Sequence, residues 1–242
     1  MDNTDFYFVA IIIFFGSLSQ SLTGFGAGLV TMAFLPRFLG IRLASPVVAL
    51  VNLALEAILM IRFRQAFQFH TVWPMIVASA IMIPLGVWGL SRLNEVFVTR
   101  ILGLVMIGYS LWEFFGLRLP ELSSRYWGVL AGGLGGLLGG AYNTGGPPVI
   151  IYGNCQRWPP AEFKANLTGY FIINSVLICT NHALNGHFSK LVMSYFLIAI
   201  PALLSGVLVG FRLEYKINPQ LFRKVILIIL FIMGFRMLFI RI

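Results

Sequence analysis

Long apolar runs separated by short polar stretches cover nearly the whole 242-residue chain. Most of them have the length of one bilayer-crossing helix, which needs about 20 predominantly apolar residues. Two do not fit that length. The first block, residues 6–36, would be about 46 Å long as one helix, more than one span and less than two. Its middle holds Gly24, Gly26 and Gly28 beside Gln20, Ser21 and Thr23. Glycine weakens the helix there, and the polar side chains offer partners to freed backbone groups. The second block, residues 128–153, has ten glycines in 26 positions. Gly132, Gly136 and Gly140 are four apart, as are Gly135 and Gly139, which on a helix makes a ribbon without side chains for another backbone to approach. The ribbon stops at Ala141-Tyr142-Asn143-Thr144-Gly145-Gly146, a helix end and polar turn, before a restart primed by Pro147 and Pro148. Each block is expected to be a broken helix or a re-entrant element. Such backbone is tolerated at membrane depth only where it is buried in protein or lines a cavity.

Single spans are expected over 44–61, 71–90, 96–115, 165–181, 191–211 and 225–242. Asn52 and Glu56 lie four apart on one face of the first of these, and Asn166, Thr168, Asn174 and Ser175 interrupt the fourth. Residues 154–164 and the positions of His70, His182 and His187 read as loops. The order repeats: a glycine-rich broken element, an Asn-bearing span, a Pro/Gly-bearing span, a last span. Gly86 matches Gly206 and Arg92-Leu93 matches Arg212-Leu213 at one offset, with Gly108 matching Gly234 at a slightly larger one. The expected architecture is an all-α integral membrane protein. It has about eight transmembrane segments as two four-segment repeats, residues 1–115 and 126–242, joined by a polar linker at 116–125; the first element of each repeat is broken or re-entrant. If each broken element crosses once, both termini share a side. Loops at 37–44, 91–100, 154–164 and 212–224 then carry ten basic residues, against seven at 62–70, 116–125, 182–190 and the C-terminal tail. The cytoplasmic bias of Lys and Arg would place the termini outside. If each element dips in and returns, the sides regroup; the pattern fits both.

Composition turns this pattern into a class. The chain is 59% hydrophobic, with mean hydropathy +0.89 and only 10% charged residues, where soluble domains average about 25%. It is a polytopic membrane protein. A net charge of +9 would suggest nucleic acid in a soluble chain, but the 17 basic residues lie mostly in short loops, as in membrane proteins generally. No zinc spacing or aromatic–basic interleaving accompanies them, so nucleic acid is not an expected partner. Cys155 and Cys179 are far apart and form no motif. The start, MDNTDFYFV, lacks the basic n-region of a signal peptide, so the first span is expected to be retained. Trp112, Glu113 and Arg236 sit where interfacial residues would.

Taken together, the two glycine motifs resemble those of the sulfite exporter TauE/SafE family of membrane permeases. The motifs are Gln20-Ser-Leu-Thr-Gly-Phe-Gly-Ala-Gly28 followed by Pro36, and Gly135-Gly-Leu-Leu-Gly-Gly-Ala-Tyr-Asn-Thr-Gly-Gly-Pro-Pro148. The resemblance runs over essentially the whole chain, with Phe25 and Ala27 where a more uniformly glycine-rich run is usual. It implies a duplicated permease of the cytoplasmic membrane for sulfite, an organosulfonate or a related sulfur-containing or carboxylate anion.

The chemistry expected of the breaks follows from solvation. An anion at the bilayer midplane loses its hydration. The free N–H groups of a helix N-terminus, carrying about half a positive charge, replace it without a permanent cation that would trap the solute. Thr144, Gly145 and Gly146 stand where such donors would point, ahead of Pro147; Gln20, Thr23, Gly24, Gly26 and Gly28 are the counterpart. Asn52, Asn143 and Asn174 offer further amide donors, and Glu56 is the candidate group for a coupling proton or ion. The expected mechanism is alternating access by one half moving against the other. Against these stand plainer readings: a glycine ribbon for packing, interhelical asparagine hydrogen bonds, and a Glu56 that snorkels towards Arg62. An ion channel or a membrane assembly subunit without a solute is the alternative to a carrier. The chain is not expected to be an enzyme, because aspartate beyond Asp5, histidine within the expected spans and clustered metal ligands are all missing. No cofactor is expected. The expected partners are a small anionic solute, membrane lipid and a coupling proton or ion, with a second copy of the chain as a further one.

Overall fold

The computed structural model describes residues 3–116, 120–122, 124–214, 216 and 219–239. Arg118 and Arg241, counted above among the loop cations, lie outside them, as do residues 117–119 and 123 of the linker. The first apolar block forms α1 (Asn3–Thr23), α2 (Ala27–Phe34) and α3 (Pro36–Leu39). The chain continues with α4 (Ile41–Phe63), a 3₁₀ turn (Arg64–Ala66), α5 (Phe69–Arg92) and α6 (Glu95–Phe114). The second block forms α7 (Arg125–Tyr142) and α8 (Gly146–Cys155), followed by α9 (Pro160–Leu184), α10 (Lys190–Leu213) and α11 (Pro219–Phe239). Among the described residues six helices are long and apolar enough to cross a membrane: α1, α4 with its 3₁₀ turn, α5, α6, α9 and α10. The fold is an all-α, multi-span membrane fold.

Both broken elements double back. After Thr23 the chain turns through Gly24 and Gly26, both at positive φ, a conformation that glycine adopts without steric cost. α2 then runs back along α1, with Ala27 and Thr31 against Gly16. In the second block α7 is capped by Asn143 in the left-handed conformation (φ 55), whose N–H donates to the Gly139 carbonyl (2.8 Å). α8 returns along α7, Val149 near Gly135 and Tyr152 near Gly128. The sequence left open whether these elements cross or dip and return; they return. The side assignment drawn from single crossings is therefore corrected. The 64–68 turn lies beside the start of α9, where the Gln68 N–H donates to Asn166 Oδ1 (2.9 Å), and the end of α4 meets the end of α10. Residues 62–70 and 154–164 thus share one end of the molecule instead of facing opposite sides.

The glycine ribbon packs a helix. Gly132, Gly136 and Gly140 lie directly on the Met75, Ser79 and Ile83 backbone of α5, with Ser79 Cα only 2.6 Å from where a Gly136 Cβ would stand. The packing reading of these three glycines is the one observed. α1 and α10 pair in the same way: a Cβ at Gly206 would lie 2.5 Å from the Phe14 carbonyl oxygen. Both pairs run parallel. α6 and α11 pair antiparallel through Gly103 and Gly234, and α4 packs antiparallel to α9, with Gln68 near Asn166 at one end. Every one of these main pairings joins a helix before the linker to one after it.

Two polar clusters mark the ends. At one, Glu214 binds Arg62 (2.8 Å) and Lys164 (2.6 Å), and Lys164 also donates to the Leu22 carbonyl at the end of α1 (3.3 Å). At the other, His182 and His187 meet through their Nδ1 atoms (2.8 Å), and His187 Nε2 lies 3.2 Å from Ser91 Oγ. His182 is fully buried in the last turn of α9, and His70 lies in the first turn of α5. The expectation that all three histidines fall in loops holds only for His187. The expected loop 154–164 is likewise shortened to residues 156–159, because α8 runs to Cys155 and Pro160 opens α9. Of the expected interfacial residues, Glu113 pairs with Arg223 (2.8 Å).

Candidate functional site

The two hairpins meet tip to tip. Gly28 in the first turn of α2 touches the Asn143 carbonyl oxygen, and a Cβ there would collide with it. This contact requires glycine at position 28. Asn143 is held by α4: its Nδ2 donates to the Ser45 carbonyl (2.8 Å) and hydroxyl (3.1 Å). Gln20 ties the other tip. The Ala27 N–H, one of the donors left free at the start of α2, is accepted by Gln20 Oε1 (2.8 Å). That fixes the amide so that Gln20 Nε2 points at Glu56 Oε1, and the two are hydrogen-bonded.

Between the tips, α4 and α9 lies a cavity of about 50 Å³, room for a few water-sized groups. Of the expected site residues, Gln20, Gly26, Gly28, Asn52, Glu56, Asn143, Thr144, Gly145, Gly146 and Asn174 line it. Three do not. Thr23 turns its hydroxyl to the Ser19 and Phe25 carbonyls (2.9 and 2.7 Å) and so braces the turn. Gly24 lies against the Lys164 side chain. Pro147 faces an apolar groove between α6 and α7. The snorkelling reading of Glu56 is also set aside: it is 3% exposed and bonded to Gln20, while Arg62 is bound to Glu214.

Sequence reasoning missed Tyr170, Phe171, Ser175 and Ile178 of α9, which also line the cavity. Their signal was available: 170, 171, 174, 175 and 178 form one face at helical spacing around Asn174. Tyr170 is fully buried, with its hydroxyl 2.6 Å from Ser79 Oγ.

The cavity wall at the start of α8 offers donors. Gly145 and Gly146 carry N–H groups with no hydrogen-bond partner among the described residues, and Pro147 and Pro148 have none to offer. The positive end of the α8 dipole adds to them. The start of α2 is not equivalent, because Gln20 already takes its Ala27 N–H. Two of the three asparagines correct the expectation of extra amide donors, while Asn52, with its Nδ2 beside Gly28, keeps that role open. Nδ2 of Asn143 is committed to Ser45 and that of Asn174 to the Tyr170 carbonyl (2.8 Å). No lysine, arginine or histidine lines the cavity among the described residues.

Comparison with known proteins bears on the family. The family model described as Sulfite exporter TauE/SafE matches residues 9–237. The chain is 28% identical over 220 residues to a protein of Cupriavidus necator described as "Probable sulfite/organosulfonate exporter TauE", covering 87% of this chain and 84% of that one. No solved structure matches it. With the family model covering nearly all of the chain, including both helix breaks, the chain belongs to the sulfite exporter TauE/SafE family of membrane permeases.

Proposed function

We propose that the protein is a secondary carrier that holds a small anion at the tip of α8 and passes it across the cytoplasmic membrane by alternating access. The observation that carries this reading is the pair of N–H groups at Gly145 and Gly146, at a helix start facing a cavity; among the described residues these groups have no partner and the cavity has no cationic side chain. Donors of this kind bind an anion but release it again, as a carrier requires. The cavity volume limits the solute to a small anion, and the name of the Cupriavidus necator relative points to sulfite or a short organosulfonate among these.

Eight long helices cross the bilayer in this reading, and residues 1–115 and 126–242 are inverted repeats around the linker. Three pairings support the inversion. α1 runs parallel to α10, α5 parallel to α7, and α4 antiparallel to α9, so corresponding elements of the two stretches point in opposite directions. The repeats interleave, however, and cannot move as two blocks of sequence. The moving bodies are instead α1–α2–α10 and α5–α7–α8, each held together by backbone-close glycine contacts. A small cavity between two interrupted helices, in place of a continuous pore, supports a carrier over a channel or an assembly subunit.

The test is flux in proteoliposomes with a panel of radiolabelled sulfite, organosulfonates, sulfate and small carboxylates. Saturable uptake of sulfite or a sulfonate with counterflow is the expected result. Large ohmic currents would identify a channel instead, and the absence of flux for every anion would overturn the reading.

A further inference from the structure

The cavity has two chemically different walls. At the start of α8 it offers donors. Its lining also offers oxygens. Glu56 Oε2, Asn52 Oδ1, Asn174 Oδ1 and Thr144 Oγ1 have no hydrogen-bond partner among the described residues, and all four residues line the same cavity. Glu56, Thr144 and Asn174 are each more than nine-tenths buried. Three of the four nearby amide donors are spent elsewhere, Gln20 Nε2 on the other carboxylate oxygen of Glu56, Asn143 Nδ2 on Ser45 and Asn174 Nδ2 on Tyr170, while Asn52 Nδ2 lies beside Gly28.

An anionic solute can take the Thr144 O–H as a donor, but it cannot satisfy the carboxylate and amide oxygens, because it brings acceptors to acceptors. A proton on Glu56 would supply one O–H donor, enough for one further oxygen such as Asn52 Oδ1 four residues earlier, and would leave the other amide oxygen bare. A hard cation takes several oxygens at once, and in carriers with broken helices the C-terminal ends of half-helices contribute to such sites. α7 ends at Tyr142, with Asn143 and Thr144 directly after it. A single carboxylate matches a single positive charge, so a divalent ion would remain unbalanced. We infer that the cavity holds, beside the anion, a bare monovalent cation of sodium size, bound by Glu56, Asn52, Asn174 and Thr144. This rests on the anion-carrier reading and extends it: the α8 tip takes the anion, the Glu56 wall takes the cation, and the pair crosses with little net charge to desolvate.

Two measurements test it. The first needs no transported solute. The melting temperature of the purified protein is compared in sodium, potassium and choline chloride at one pH and ionic strength. Sodium should raise it by several degrees over choline, potassium less, and Glu56→Gln should abolish the difference. Equal melting in sodium and choline overturns the cation site. The second is sulfite flux in proteoliposomes with the pH clamped and a protonophore present. A sodium gradient should raise the initial rate about tenfold over choline, and Asn174→Ala should raise the sodium concentration for half-maximal rate. Saturable flux that follows a pH gradient and ignores sodium overturns the cation site and leaves the anion carrier standing. Sodium-dependent melting without flux of any anion supports the cation site and removes the anion reading.

Discussion

Replacing Gly146 with alanine adds one methyl group where the donors of α8 meet the cavity. The new Cβ would lie 3.3 Å from Ile150 Cδ1 and 3.6 Å from Phe171 Cζ. Both are ends of movable side chains, so a shift of a few tenths of an ångström makes room. Gly146 is not at positive φ, and alanine is preferred over glycine in helices by up to about 1 kcal/mol. The variant should therefore insert and fold. Its methyl group, however, stands beside the Gly145 and Gly146 N–H groups and keeps the anion from one of them. A hydrogen bond to a charged group contributes about 1.5–3 kcal/mol. At 1.4 kcal/mol per factor of ten, the half-saturating sulfite concentration should rise roughly ten- to 150-fold. The assay is initial-rate uptake of radiolabelled sulfite in proteoliposomes, normalised to reconstituted protein. Gly133→Ala is the control, since its Cβ meets only Met82 Cγ at an ordinary 3.7 Å. A folded Gly146→Ala protein whose half-saturation matches that of Gly133→Ala would refute the assignment of the α8 tip as the anion site.

Gly136→Ala should lower stability by about 1–3 kcal/mol, because its methyl group would be driven into the Ser79 backbone; thermal melting beside Gly133→Ala, which should be near neutral, checks this. Glu214→Gln should cost about 1–3 kcal/mol, between the values for exposed and buried ion pairs, since Arg62 and Lys164 would face each other without their shared carboxylate. An unchanged melting temperature in Glu214→Gln would show that the cluster is incidental. His187 predicts a pH effect. Burial holds its imidazole below the ordinary histidine value, so the unfolded chain binds its proton more readily than the folded one. Its contribution is complete above the unfolded value of about 6.5 and is lost as pH falls towards the lower folded value. Melting temperature should thus fall on acidification through that window, and less steeply in His187→Gln; parallel slopes would contradict the prediction.

Much of the site was legible because it depends on backbone chemistry that sequence displays directly. Gly24, Gly26, Asn143 and the Gly-Gly-Pro-Pro restart could serve only as breaks, and the breaks are where the cavity lies. Two kinds of information were not legible. Whether a broken helix continues or folds back depends on which surfaces lie beside it, here Gly16 for α2 and Gly135 for α8. Polar side chains are also ambiguous until their partners are known. Asn143 and Asn174 look like donors in sequence, yet their N–H groups are consumed by neighbouring backbone, which leaves Asn174 as an acceptor. His182 was misplaced because a histidine near a span end looks solvated, and only the tertiary contact with His187 shows otherwise.

The interleaved pairing also bears on how the chain is made. α1 is synthesised almost two hundred residues before α10, whose Gly206 and Gly210 it must receive. α5 likewise waits for the bare ribbon of α7. Until then the early helices present narrow, small-residue and hydroxyl-bearing seams to lipid, where nothing matches their shape. The N-terminal portion is thus an incomplete template at the translocon, and a product truncated in the linker would be an orphan for membrane quality control.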